Sequence, residues 1–191
     1  MARILAFAGS TREGSFNRKL IRIAARGAKN AGADVTLVEL VDYPMPLFNQ
    51  DLEVNEGMPK AAHELKQLFI EHDGLLIASP EYNSAFTPLM KNTLDWVSRR
   101  ETDDEPPLAA YQGKVAAIMS ASPGRLGGIR GLVFLRMLLA NLGIVVLPEQ
   151  QAIPQAMQAF NEDGSLIDSL QQEAVLNLGI NLSNMLAKLK Q

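Results

Sequence analysis

Arg3-Ile-Leu-Ala-Phe-Ala-Gly-Ser-Thr-Arg-Glu-Gly-Ser-Phe-Asn17 decides how the rest of the chain is read. Residues 3–8 form a compact apolar run that stops at glycine, the pattern of a parallel strand covered on both faces. After a polar loop, Leu20, Ile21, Ile23, Ala24 and Ala28 recur at helical spacing, and Asn30 with Gly32 supplies a helix stop. Strand, glycine-bearing loop and helix thus open an alternating pattern.

The alternation continues outward. Residues 35–40 make a second β-rich run, and the proline-marked stretch 43–59 reads as a long loop. A helix over 59–71 leads to a third, almost purely aliphatic strand at 74–78. There follow a helix over 87–98, a strand at 115–119, a helix over 128–142, a strand at 144–147 and a last helix over 167–190. Five strands alternating with five helices predict an α/β fold with a parallel sheet clad on both faces, because each parallel crossover needs a covering helix. Ligands of such sheets sit beyond the carboxyl ends of the strands. The loops after strands one, three and four are therefore the candidate site.

Composition narrows the chemistry. With 191 residues, 47% of them hydrophobic, one domain spanning 1–191 is expected. The net charge is −3 and no long basic run exists to track a nucleic-acid backbone, so nucleic acid is not an expected partner. There is no cysteine, which removes disulfides, zinc–thiolate sites and thiol nucleophiles. The apolar run at 4–8 is too short for a signal-peptide core, and no segment reaches the roughly 18 apolar residues of a membrane span. A soluble, cytoplasmic protein is the expectation.

The loop at 9–17 leaves a buried strand and opens a helix, which puts free backbone amides and a positive helix end beside Ser10, Thr11 and Ser15. Arg12 adds a planar cationic fork, and Gly9 and Gly14 let backbone approach closely. The reading is a phosphate cradle, set against plain helix capping by Ser15 or Asn17. An ATPase-type loop would place lysine after the second glycine, where Ser15 and Phe16 stand. A dinucleotide fingerprint would need glycine at Thr11, so Glu39 is not promoted to a ribose ligand. A mononucleotide phosphate remains.

After the third strand comes Ser79-Pro-Glu-Tyr-Asn-Ser-Ala-Phe-Thr-Pro-Leu-Met-Lys-Asn-Thr-Leu-Asp-Trp96. Pro80-Glu-Tyr-Asn83, a proline five residues on, and Lys91-Asn92 ahead of Asp95-Trp96 resemble the signature of the NADPH-dependent FMN reductase family, which includes quinone and chromate reductases and azoreductases. Gly-Ser-x-Arg-x-Gly-Ser-x-Asn at 9–17 and Ser-x-Ser-Pro-Gly-x-x-Gly-Gly at 120–128 extend the likeness over most of the chain. Thr11 stands where many relatives carry an aliphatic residue.

The resemblance implies a flavodoxin-like three-layer sandwich with a five-stranded parallel sheet, order 2-1-3-4-5, and one FMN per subunit. It places Ser10, Arg12, Ser15 and Asn17 around the phosphate, Pro80, Glu81, Tyr82 and Asn83 along the isoalloxazine ring, and Ser120, Ser122 and Gly124 at its other edge, with Phe16 also among the cofactor-binding residues. It implies that NADPH or NADH delivers a hydride to the flavin, which then passes two electrons to a small-molecule acceptor by ping-pong turnover, in a homodimer or homotetramer. No side chain is assigned a catalytic proton transfer, and no metal is expected. Trp96 is assigned to core or subunit packing rather than flavin stacking, and His63 and His72 to solvated or capping positions. Two other readings are an FMN electron carrier that oxidises no nicotinamide and a module on this fold that has lost flavin. A net charge of −3 gives the carrier little steering field.

Overall fold

Runs of aliphatic residues buried on both faces become the central strands, and helices with one apolar stripe cover them. The computed structural model describes residues 1–190. In chain order the elements are β1 (Arg3–Ala8), α1 (Phe16–Asn30), β2 (Asp34–Val38), α2 (Gln50–Glu56), α3 (Lys60–Glu71), β3 (Gly74–Ala78), α4 (Pro88–Val97), β4 (Val115–Ala121), α5 (Ile129–Asn141), β5 (Val145–Ile153), α6 (Ala156–Ala159) and α7 (Ser169–Leu189). All strands pair in parallel in the order β2-β1-β3-β4-β5. This is the flavodoxin-like arrangement the resemblance implies.

Alternate residues of each strand feed two cores. Ile4, Ala6 and Ala8 face α1 and α7, while Leu5 and Phe7 face α3, α4 and α5. The first layer is unusually close. A Cβ on Gly27 of α1 would lie 2.1 Å from the Leu176 carbonyl oxygen, and one on Gly179 of α7 would lie 2.0 Å from that of Ala24. Two glycines, one per helix, let the backbones meet. On the other side Phe7, Phe69 and Tyr111 pack ring to ring, and the Tyr111 hydroxyl donates to the Leu94 carbonyl at 2.6 Å.

Several boundaries differ from the sequence expectation. The stretch 43–59 contains α2, capped by Asn49, whose Oδ1 accepts from the Asp51 amide. None of its seven residues is buried, so it has no apolar period to reveal it. Together with the short α6, this makes seven helices among the described residues rather than five. β2 ends at Val38, and Leu40 belongs to a turn of 3-10 helix, Leu40–Asp42. β5 runs to Ile153 instead of 147: the pairing skips from Ala116↔Val146 to Ile118↔Gln150, which bulges Pro148 and Glu149 out of the ladder. No helix among the described residues is long and apolar enough to cross a membrane.

Candidate functional site

Three loops converge at the carboxyl edge of β1, β3 and β4 around a cleft of about 450 Å3. From the first loop come Ser10, Arg12, Ser15, Phe16 and Asn17; from the second Pro80, Glu81 and Tyr82; from the third Ala121, Ser122 and Pro123.

The first loop is a helix N-terminus with its donors free. Ser15 is the N-cap of α1, its hydroxyl oxygen accepting weakly from the Arg18 amide at 3.4 Å, so the hydroxyl hydrogen remains available. The first-turn amides of Phe16 and Asn17 find no acceptor among the described residues. Arg12 lies over the Phe16 ring, 5.5 Å from its centroid. Amides, hydroxyls and a guanidinium at a positive helix end form the donor set that a phosphate dianion requires.

The side chain of Asn17 ties this loop to the end of another strand. Its side-chain amide donates to the Ala121 carbonyl at 2.8 Å and its carbonyl accepts from the Ala121 amide at 3.0 Å. Both ends are consumed in bridging the first loop to the end of β4. A second tie comes from Thr87, the N-cap of α4, whose hydroxyl donates to the Gly9 carbonyl at 2.8 Å while accepting from the Met90 amide. A Cβ at Gly9 would lie 2.8 Å from the Met90 methyl and 3.1 Å from the Thr87 hydroxyl, so the Met90 side chain would have to swing aside to admit it.

The second loop holds a two-residue hairpin. Tyr82 and Ala85 exchange both backbone hydrogen bonds, with Asn83 and Ser84 at φ 50° and 70° between them. Two successive left-handed residues make a type I′ turn, for which asparagine is suited. Asn83 is therefore spent on the turn and does not line the cleft, whereas Tyr82 stands 58% exposed at its mouth. The Glu81 carboxylate turns away toward α5: Oε1 accepts from Arg130 at 2.7 and 3.1 Å, and Oε2 from the Gly131 amide at 2.9 Å. The cap residue of α5, Gly128, has no side chain to offer, so Glu81 caps that helix from another loop. Burial works to raise the Glu81 pKa, but the Gly131 amide and Arg130 outweigh it and hold the carboxyl below its ordinary value.

The third loop presents Ala121, Ser122 and Pro123, all within the 120–128 stretch read as a pocket wall, though of the three the resemblance names only Ser122 as a cofactor residue. Ser120 and Gly124 do not line the cleft. Ser120 is fully buried beneath Gly128, its hydroxyl without a partner among the described residues. A Cβ at Gly128 would fall 2.0 Å from that hydroxyl oxygen, and the residue has φ +92°. Only glycine fits there.

Residues of the second signature outside the cleft fasten its surroundings. Trp96 is fully buried; its indole N–H donates to the Pro46 carbonyl at 2.8 Å and its ring meets Phe48 edge-on. Asn92 bonds the Phe48 amide and the Pro46 carbonyl. Both hold the segment ahead of α2 against α4. Glu39 pairs with Arg18 and Arg22. His63 is half exposed and contacts Glu101, while His72 is buried as the C-cap of α3, its two ring nitrogens on the Leu68 carbonyl and the Thr36 hydroxyl.

Comparison with known proteins matches residues 2–158 to the family described as NADPH-dependent FMN reductase. The chain is 33% identical to the NAD(P)H-dependent FMN reductase of Pseudomonas aeruginosa over 91% of its own length and 89% of the relative's. It is 31% identical to an NADPH:quinone oxidoreductase of Arabidopsis thaliana, over 100% and 94% of the two chains. Among solved structures, the flavoenzyme NAD(P)H:(acceptor) oxidoreductase FerB of Paracoccus denitrificans superposes with a TM-score of 0.81 at 26% identity, covering 98% of each chain.

Proposed function

Since the chain belongs to the NADPH-dependent FMN reductase family and is an oxidoreductase, we propose that it is an FMN-dependent NAD(P)H oxidoreductase whose single domain reduces a quinone or similar small molecule. The observation that carries this reading is the cleft itself, in which an anion cradle at the start of α1 opens into a slot walled by the second and third loops. FMN, when bound, supplies the chemistry, accepting a hydride from NADPH or NADH and releasing two electrons to the acceptor.

The chain's own residues bind and orient. Ser10, Ser15 and the amides of Phe16 and Asn17 hold the phosphate, and Arg12 offsets its charge. Pro80 and Tyr82 on one side and Ala121, Ser122 and Pro123 on the other flank the ring. The Asn17 bridge and the Glu81 cap keep these walls at a constant separation. Within the cleft no side chain is needed to move a proton. One open face must serve donor and acceptor in turn, which makes the kinetics ping-pong. The protein works in the cytoplasm as a homodimer or homotetramer. Support for assembly is the outer side of α5, where Val133, Phe134 and Met137 are exposed close to the Glu81–Arg130 contact.

The test is an initial-rate study of FMN-loaded protein with NADPH and a quinone varied together. Parallel double-reciprocal lines are expected, and intersecting lines would overturn the alternating mechanism. A protein that stays colourless after incubation with FMN would overturn the cofactor reading.

A further inference from the structure

α1 carries Arg18, Lys19, Arg22, Arg26 and Lys29 and no acidic residue, on a chain whose net charge is −3. Glu39 engages Arg18 and Arg22 from the side. Lys19 and Arg26 make no ion pair among the described residues. With Arg22 they line a groove of about 460 Å3, whose opposite wall is the turn at 163–165. The single carboxylate on that wall, Asp163, directs Oδ1 to the hydroxyl and amide of Ser165 at 2.6 and 2.9 Å. The groove is thus concave, net positive with three cations against one carboxylate that also attracts Arg26, and separate from the three loops above.

A line of side-chain contacts joins it to the cleft. Lys19 lies 5.7 Å from the centroid of Phe160, Phe160 stacks on Phe16 at 5.9 Å, and Phe16, which lines the cleft, carries Arg12. Along α1 the path from Phe16 to Arg26 rises about 15 Å. A dinucleotide engaged in the cleft by one end therefore has a charged track for the other.

The geometry points to a phosphate-monoester subsite formed by Lys19, Arg22 and Arg26, which takes the 2′-phosphate of NADPH. This rests on the nicotinamide reading above and adds to it a basis for choosing between the two nucleotides. Lys19 and Arg26, with Arg22 shared between Glu39 and the groove, offer a dianion charge-assisted hydrogen bonds that the neutral 2′-hydroxyl of NADH cannot match. Discrimination is then set by α1 rather than by the flavin loops.

Calorimetry on the FMN-loaded protein with adenosine 2′,5′-bisphosphate and with 5′-AMP reads the subsite directly. The bisphosphate is expected to bind roughly tenfold more tightly, a difference of about 1.4 kcal/mol, and the advantage is expected to shrink as salt is added. In the double variant Lys19→Gln/Arg26→Gln the two probes should bind within about twofold of each other. The same variant should raise KM for NADPH roughly tenfold while KM for NADH moves less than about twofold. Equal affinity for both probes in the unmodified protein, or a preference that survives the double substitution, overturns the subsite. If the loaded protein oxidises neither nucleotide, the functional reading fails on its own, and the calorimetric comparison still decides the groove.

Discussion

At the scale of single residues, the site is held by contacts that span the chain. Glu81 reaches Gly131 across 50 positions, and Asn17 reaches Ala121 across 104. Glu81→Ala removes a charge-assisted cap and an ion pair together, and a loss of about 1.5–3 kcal/mol of unfolding free energy is expected at pH 7 by urea denaturation. Because the folded-state pKa of Glu81 is held below its unfolded value, the carboxylate's stabilisation is complete above that value and disappears as pH falls through the folded one. The gap between the parent and Glu81→Ala should be flat at neutral pH and narrow below roughly pH 4.3, the unfolded-chain value. A gap that persists unchanged into acid would assign the effect to packing. The residue types around the cleft are legible in the sequence because phosphate and ring chemistry select them. That Asn17 bridges, Asn83 turns and Glu81 caps was not legible, since each role depends on a partner or a φ value that composition does not encode.

Elements were legible in proportion to their burial. β1, β3 and β4 are buried nearly throughout, so their sequences are dominated by apolar residues. β5 is an edge strand with a bulge at Pro148 and Glu149, and its polar second half carries no such signal. Arg136 of α5 steadies that edge by donating to the Val146 and Pro148 carbonyls and to Gln150. Between elements, the glycine contact of α1 with α7 makes a sharper claim. Alanine is the better helix former by about 1 kcal/mol, yet a Cβ at Gly27 would strike a backbone oxygen that no rotamer change can move. Overpacking of this kind costs about 1–3 kcal/mol or more, so the clash prevails. Gly27→Ala should lower Tm by roughly 4–8 °C in a thermal melt, for a net loss of about 2 kcal/mol. An unchanged or higher Tm would show that the helices separate without penalty.

For the molecule as a whole, charge and apolar surface are segregated. The basic residues of α1 lie on one side of the sheet, and the exposed Val133, Phe134 and Met137 of α5 on the other. A row of that kind on a helix that also receives Glu81 would couple assembly to the wall of the cleft. The double variant Val133→Glu/Met137→Glu places like charges on this row, and sedimentation velocity is expected to report a monomer for it against the dimer or tetramer proposed for the parent. An unchanged assembly would move the interface to another face. FMN content measured on the same preparations tells whether pairing also supports the cofactor.

Trp96 is the chain's one tryptophan, and its indole is sealed between α4 and the segment carrying Pro46 and Phe48. The molecule thereby carries a built-in optical probe at the place where that segment is fastened. Emission should be blue-shifted while the indole stays dry and should move to the red once the segment lifts away. Fluorescence can thus follow local release of this strap without any label.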